Sequence, residues 1–359
     1  MINKRGYTAS FKFVGEVHLN EDSIKTDCMS SSGWKYNRLN FGVRCGDAGT
    51  HFVQAMSGYS TTKGGVLYVG LRTDGGFENR KIDWDDRFDE ELVEAAMSPY
   101  RASVEKTQDG KPFVKKFLSA YDFIEYLEEH ISDGDTISCR GDIEYSEYEG
   151  KTVTRYNVKS VTKIDGEAKT EASFIQTLLL NSDCIGDVDE NGYTTINGFG
   201  IDYDRDARDN RAFPVSFKYK FPEDEKQARA QRKLIFNIKE GTVNEVTFLG
   251  EFVSSYPTVE ATPEDLTDDV RELIELGLYS EEEVLTQYAG NGRPTRMAVI
   301  TKPRIYTPKG GSPTVQIVEN YCDESELYGT KVVDTKSPIA DPMPGSDDDD
   351  DFDLSDLFE

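Results

Sequence analysis

The order of its alternating stretches constrains this chain more than any other feature. From Phe11 to Leu19 the run F-K-F-V-G-E-V-H-L puts Phe11, Phe13, Val17 and Leu19 on one side and Lys12, Glu16 and His18 on the other, the period of a half-buried strand with a glycine at its bend. A second alternation runs from Trp34 to Cys45 after the loop Ser30–Gly33. A third runs from Thr50 to Ser57 after the turn Gly46–Gly49, close enough to the second to form a hairpin. Between Gly58 and Pro112 the pattern is irregular and glycine-rich, a long connection with one predicted helix near Asp89–Met97. Ser119 then opens a helix, with Asp122 three residues on as a capping partner and Tyr121, Ile124, Leu127 and Ile131 as its apolar face. Two more strands, Thr136–Tyr145 and Thr152–Ile164, follow the stop at Asp133-Gly134.

Three strands, a helix and a two-strand hairpin is the order of the OB-fold, a five-stranded Greek-key barrel. A first domain over residues 1–165, with a long insertion at about 58–112, is therefore expected. The next stretch repeats the order more loosely: strands Ser173–Asn181, Tyr193–Tyr203 and Phe213–Phe221, a helix Glu223–Asn237, then strands Val246–Val253 and Arg296–Tyr306. The expected class is mainly β, two tandem OB-fold-like barrels with helical insertions and a disordered acidic tail. The second barrel spans 166–306, with an acidic helical insertion at 263–289 whose second amphipathic stretch starts at a Ser280/Glu283 capping box. Residues 307–359 are linker and tail. F-L-G-E-F at Phe248 echoes F-V-G-E-V at Phe13 on a different strand, read as shared bend chemistry.

Charge and composition narrow the function. The 359 residues carry 67 acids against 41 bases, a net charge of −26, yet 11% are aromatic, more than a solvated random chain would hold. No apolar run approaches the roughly 20 residues of a membrane span. No signal-peptide pattern follows the N-terminal bases, so a cytoplasmic protein is expected. Five scattered cysteines and three histidines form no C-x-x-C, metal-ligand or nucleophile–base spacing. No enzyme activity, metal or cofactor is expected.

The stretch Trp34–Arg44 carries the most chemistry. Period two puts Leu39, Phe41, Val43 and Cys45 on one face and Trp34, Tyr36, Arg38, Asn40 and Arg44 on the other, with no acid between Gly33 and Gly46. Rings that stack on bases and cations that meet phosphates are what single-stranded nucleic acid requires, and Phe52 on the next strand joins this set. The alternative is that Trp34 and Tyr36 pack beneath the Gly58–Pro112 connection. A second candidate cluster holds Tyr203, Arg205, Arg208, Arg211, Lys218 and Lys220, with Phe217 and Tyr219 read as core. A third is the hairpin with Tyr145, Tyr148, Lys151 and Arg155, at the loop that closes over ligands in OB-folds. A local cationic groove acts at contact even in an acidic protein, because screening limits the wider field to roughly 8 Å.

The C-terminus ends D-D-D-D-D-F-D-L-S-D-L-F-E. Residues 347–359 hold eight acids and no base, and four large apolar side chains stand among the last eight. Asp347, Asp348, Asp349, Asp350, Asp351, Phe352, Asp353, Leu354, Asp356, Leu357 and Phe358 together resemble the acidic tip of bacterial and bacteriophage single-stranded DNA-binding proteins. Glu359 follows Phe358, whereas that family's tip ends on the aromatic residue. The resemblance implies single-stranded DNA binding in phage replication, recombination or repair, in the host cytoplasm. It also implies a tip that recruits polymerase, helicase, primase or recombinase and competes with DNA for the groove. The rival expectation is an acidic interaction protein, a DNA mimic or a replisome or transcription adaptor, whose barrels bind protein.

Overall fold

The computed structural model describes residues 7–204, 208–255, 266–276, 278–280, 284–285, 295–308 and 310–328. The acidic tip, most of the second amphipathic stretch with Glu283, and Arg205 lie outside the described residues. In chain order the first half contains β1 (Ala9–His18), β2 (Ile24–Met29), β3 (Trp34–Arg44), β4 (Thr50–Ser60), β5 (Val66–Thr73), β6 (Gly76–Asp83), α1 (Glu90–Ala95), β7 (Tyr100–Lys106), β8 (Pro112–Phe117), α2 (Ala120–His130), β9 (Thr136–Tyr148) and β10 (Lys151–Lys163). The second half contains β11 (Glu171–Leu180), β12 (Ile185–Val188), β13 (Thr194–Asp204), β14 (Asp209–Tyr219), α3 (Glu225–Ile235), β15 (Thr242–Ser255), α4 (Asp268–Glu275), β16 (Thr295–Pro303), β17 (Ile305–Tyr306), β18 (Thr314–Val315) and β19 (Ile317–Asp323). Among the described residues no helix is long and apolar enough to cross a membrane.

The alternations read from sequence close a ring. β1 pairs with β3, β3 with β4, β4 in parallel with β10, β10 with β9, and β9 returns to β1. This five-stranded OB-like barrel is filled by Phe13, Leu39, Phe41, Val43, Ile137 and Val158, none more than 1% exposed. α2 stands between the third and fourth ring strands and buries Phe123, Ile124 and Leu127. Its N-terminus differs from the expected capping box. The Ser119 hydroxyl accepts the Tyr121 N–H at 3.1 Å, but Asp122 does not reach back. Asp122 instead receives Arg87 Nε at 3.0 Å from the turn after β6, and that guanidinium also lies 4.6 Å over the Trp84 ring. The Gly58–Pro112 connection holds the expected helix as α1, but also β5, β6 and β7, which its irregular pattern does not show, and β2 was likewise missed. These strands are short, and β6 buries only Ile82, so little period-two signal survives in its sequence.

A second set of strands makes the same circuit: β11 with β13, β13 with β14, β14 in parallel with β16, β16 with β15, and β15 with β11. The two rings are joined through β1 and β11, paired antiparallel from Ala9↔Gln176 to Val14↔Glu171. β1 therefore serves both rings along one edge, pairing β11 up to Val14 and β3 from Glu16 onward. Gly15 lies at the changeover, where the Arg44 carbonyl oxygen would stand 2.0 Å from any Cβ. Its sequence echo, Gly250, has a different cause: the Phe174 ring on the paired strand occupies the space a Cβ would need. A buried polar network crosses the junction. Tyr145 Oη donates to Gln176 Oε1 at 2.7 Å, Gln176 Nε2 donates to Tyr7 Oη at 2.8 Å, and Tyr7 Oη accepts the Ile201 N–H at 2.8 Å.

Candidate nucleic-acid interface

β3 and β4 pair without interruption from Trp34↔Ser60 to Arg44↔Thr50. Directly opposed residues share a face, so the outer surface of this ribbon carries Trp34, Tyr36, Arg38, Asn40 and Arg44 from β3 and Phe52, Gln54 and Met56 from β4. Leu39, Phe41, Val43, Val53 and Ala55 point into the barrel. Trp34 and Tyr36 are half-buried because both lean on Gly58, where a Cβ would come within 2.8 Å of the indole nitrogen. Phe52 and Met56 are about half exposed, at 54% and 46%. From Trp34 to Ser60 the only acid is Asp47, in the turn between the strands.

The cations of this ribbon differ in availability. Lys35 points to the α2 side, where its ammonium lies 2.7 Å from Asp27 Oδ1 and the Tyr121 hydroxyl donates to the same carboxylate at 2.8 Å. Lys35 holds the Asp27 carboxyl below the usual range, and burial first, then Asp27, pushes the Tyr121 phenol up to about 12. Lys25 on β2 is paired with Asp22 at 2.5 Å. Among the described residues neither Arg38 nor Arg44 forms an ion pair. Glu16 of β1 stands directly opposite Arg44, and the Arg38 charge acts on Asp22, so the acids that meet this face come from its neighbours and not from the ribbon's own strands. Its two guanidiniums, the exposed Phe52 ring and the half-buried Trp34 and Tyr36 can accept stacked bases and their phosphates.

The other two predicted clusters are arranged differently. Tyr145 is buried at 4% exposure, its N–H held by Asp202 Oδ2 at 2.9 Å, so it fixes the junction and offers no ligand surface. The β9–β10 hairpin leans on the second ring, since Arg211 of β14 bridges Glu147 and Asp204. Arg155 donates to Ser146 at 2.5 Å, leaving Tyr148 and Lys151 exposed at a tip shared with Glu147 and Glu149. Lys218 is spent on Asp189 at 2.9 Å and Thr195 at 3.2 Å, and Lys220 lies over Tyr193. Tyr203 and Arg208 are exposed. Phe217 and Tyr219 are core, as read. Local excess of bases overstated this cluster because sequence distance does not register the carboxylates on neighbouring strands. Gln54 and Met56 were missed, although the alternation that placed Phe52 outward places them there too.

The family model for YorF matches residues 96–285, more than half of the chain. The chain belongs to the YorF family. The YorF match runs from just before β7 past α4, so the β3–β4 ribbon lies N-terminal to it. No curated protein matches the chain. Among solved structures it is similar to the wild-type single-stranded DNA binding protein from Thermus aquaticus, at 11% identity and a TM-score of 0.32, covering 69% of this chain and 86% of that one. A deletion mutant of the same Thermus aquaticus protein matches at 11% identity and a TM-score of 0.33, covering 69% and 88%.

Proposed function

We propose that this protein binds single-stranded DNA without sequence preference and catalyses no reaction, acting in the host cytoplasm during phage DNA replication or recombination. The observation that supports it is the β3–β4 ribbon: Trp34, Tyr36 and the exposed Phe52 beside Arg38 and Arg44, which form no ion pair among the described residues, on two strands that carry no acid of their own, in a chain of net charge −26. Both rings are read as OB barrels in tandem. DNA runs across the first, and the acidic tip recruits replication proteins. Tolerance of sequence follows because rings stack on any base and phosphates are common to all.

Titration by tryptophan quenching with oligo(dT), mixed-sequence strands and duplex at two salt concentrations tests this reading. Trp34→Ala and Tyr36→Ala are each expected to cost about 1–3 kcal/mol of binding. Arg38→Ala and Arg44→Ala each lower the steepness of the log K against log salt plot by about 0.7. Four variants that bind as the parent does would remove the ribbon as the site, and a preference for duplex would change the class of DNA-binding protein.

A further inference from the structure

The β5–β6 hairpin carries a second surface that the ribbon does not use. Its strands pair over their full length, from Val66↔Asp83 to Thr73↔Gly76. One face is anchored: Val69, Leu71 and Ile82 pack with Leu67, Leu92, Ala95 and Leu118 against α1, and the Met97 N–H donates to the Gly70 carbonyl at 2.9 Å. Among the described residues nothing covers the opposite face. Tyr68 stands opposite Lys81 and Arg72 opposite Phe77, with Gly70 and Asn79 as a low floor between them. The rings are the most exposed aromatics on the described surface, Tyr68 at 76% and Phe77 at 68%. No acid lies on this face between the two pairs. Glu78 projects to the other side, where it pairs with Arg80 at 2.9 Å, Asp83 sits at the base opposite Val66, and Asp74 is in the turn.

We infer that this outer face is a second single-stranded DNA contact, an arm that carries the strand onward from the β3–β4 ribbon. The inference rests on the proposed single-strand binding of that ribbon. Charge complementarity supports it: each ring has a cation directly across the ladder, so each pair offers a stacking surface and a phosphate partner together. Continuity supports it too. β4 ends at Ser60, paired with Trp34, the Thr61 N–H donates to the Gly33 carbonyl at 3.1 Å, and Ser60 bridges Gly64 two residues before β5 begins. The base is held rigid by Trp84, whose ring lies 4.6 Å from Tyr59 and 5.6 Å from Tyr121 of α2. The eight-residue strands of this arm are long enough, about 26 Å at ~3.3 Å per residue, for several nucleotides.

The test uses the full chain with two double variants, Tyr68→Ala/Phe77→Ala and Arg72→Gln/Lys81→Gln, beside Trp34→Ala. Oligo(dT) of about 8 and about 30 nucleotides brackets the range of a single OB barrel's site. The ring variant is expected to bind the long strand at least about tenfold more weakly and the short strand within about twofold of the parent. The charge variant lowers the salt slope by about 1.4 on the long strand alone. Ultraviolet crosslinking of the parent places thymine adducts on Tyr68 or Phe77. If both double variants bind the long strand as the parent does while Trp34→Ala weakens it, the arm is refuted and the ribbon stands. If the parent binds neither length, the ribbon reading fails and the arm with it. Variants that lose only self-association would make the face a contact between copies and overturn the inference.

Discussion

Acidification tests the junction between the rings, through His51 on β4. Its imidazole is 3% exposed, stacked on Phe13 of β1 at 4.5 Å and tilted against Phe252 of β15 at 5.0 Å, with Nε2 3.1 Å from the Ala48 carbonyl oxygen. Burial, reinforced by the Arg296 charge and opposed by the Ala48 carbonyl, lowers its pKa from 6.5 to about 4. The unfolded chain takes up a proton below pH 6.5 and the folded chain only near 4, so the unfolded state binds more protons between them. Stability therefore falls as pH drops through that window, by about 3 kcal/mol in full at 1.36 kcal/mol per pH unit. His51→Phe keeps a stacked ring and removes the proton site. At neutral pH it costs about 0.5–1.5 kcal/mol for the lost bond to Ala48. Its urea stability then falls less steeply than the parent's from about pH 6.5 to 4, and the difference between the two curves isolates His51 from the titrating carboxylates. A His51 resonance with a midpoint near the free value, or parallel parent and variant curves, would refute the burial argument.

Three further outcomes follow from particular contacts. Arg87→Leu leaves Asp122, 8% exposed, as an unpaired buried carboxylate, and is expected to cost about 3–5 kcal/mol in urea unfolding; a change below about 1 would show that water reaches the site. Gly250→Ala drives a methyl into the Phe174 ring, whose Cζ would lie 2.0 Å away, for a cost of about 1–3 kcal/mol that Phe174→Leu in the same chain partly relieves; no loss would mean that β15 shifts freely. Deleting Asp347–Glu359 removes eight acids, and should tighten oligo(dT) binding at low salt and abolish capture of a replication partner, whereas Leu357→Ala/Phe358→Ala should lose only the partner. A truncated chain unchanged in both respects would leave the tip as a solubility device.

The first ring was legible because its strands are buried on one side only. Alternation in Trp34–Arg44 and Thr50–Ser57 is the direct imprint of an inside and an outside, and it separated Leu39, Phe41 and Val43 from Trp34, Tyr36 and Arg38 correctly. The helix at Ser119 was legible for the same reason. Asp122 was misassigned because a capping-box pattern and a buried ion-pair partner look alike until Arg87 is brought in from 35 residues away. The β5–β6 arm was illegible because rings and charges fall on the wrong sides: Tyr68 and Phe77 stand on its exposed face and Glu78 and Arg80 on its anchored one, so polarity does not mark inside from outside.

Local pattern by itself determined the chain order of the five first-ring strands, the inward and outward faces of the ribbon and the absence of acids from its two strands, because each depends on neighbours within a few positions. Tertiary structure alone decided which cations remain available. Arg211 and Lys218 are spent on Glu147, Asp204 and Asp189, and Tyr145 is sealed beneath the junction, through contacts between strands distant in sequence. It also decided that β1 and β11 pair and weld the rings together. An exposed strand edge carries the same backbone donors and acceptors whatever its side chains, so only the assembled fold reveals which edge it meets.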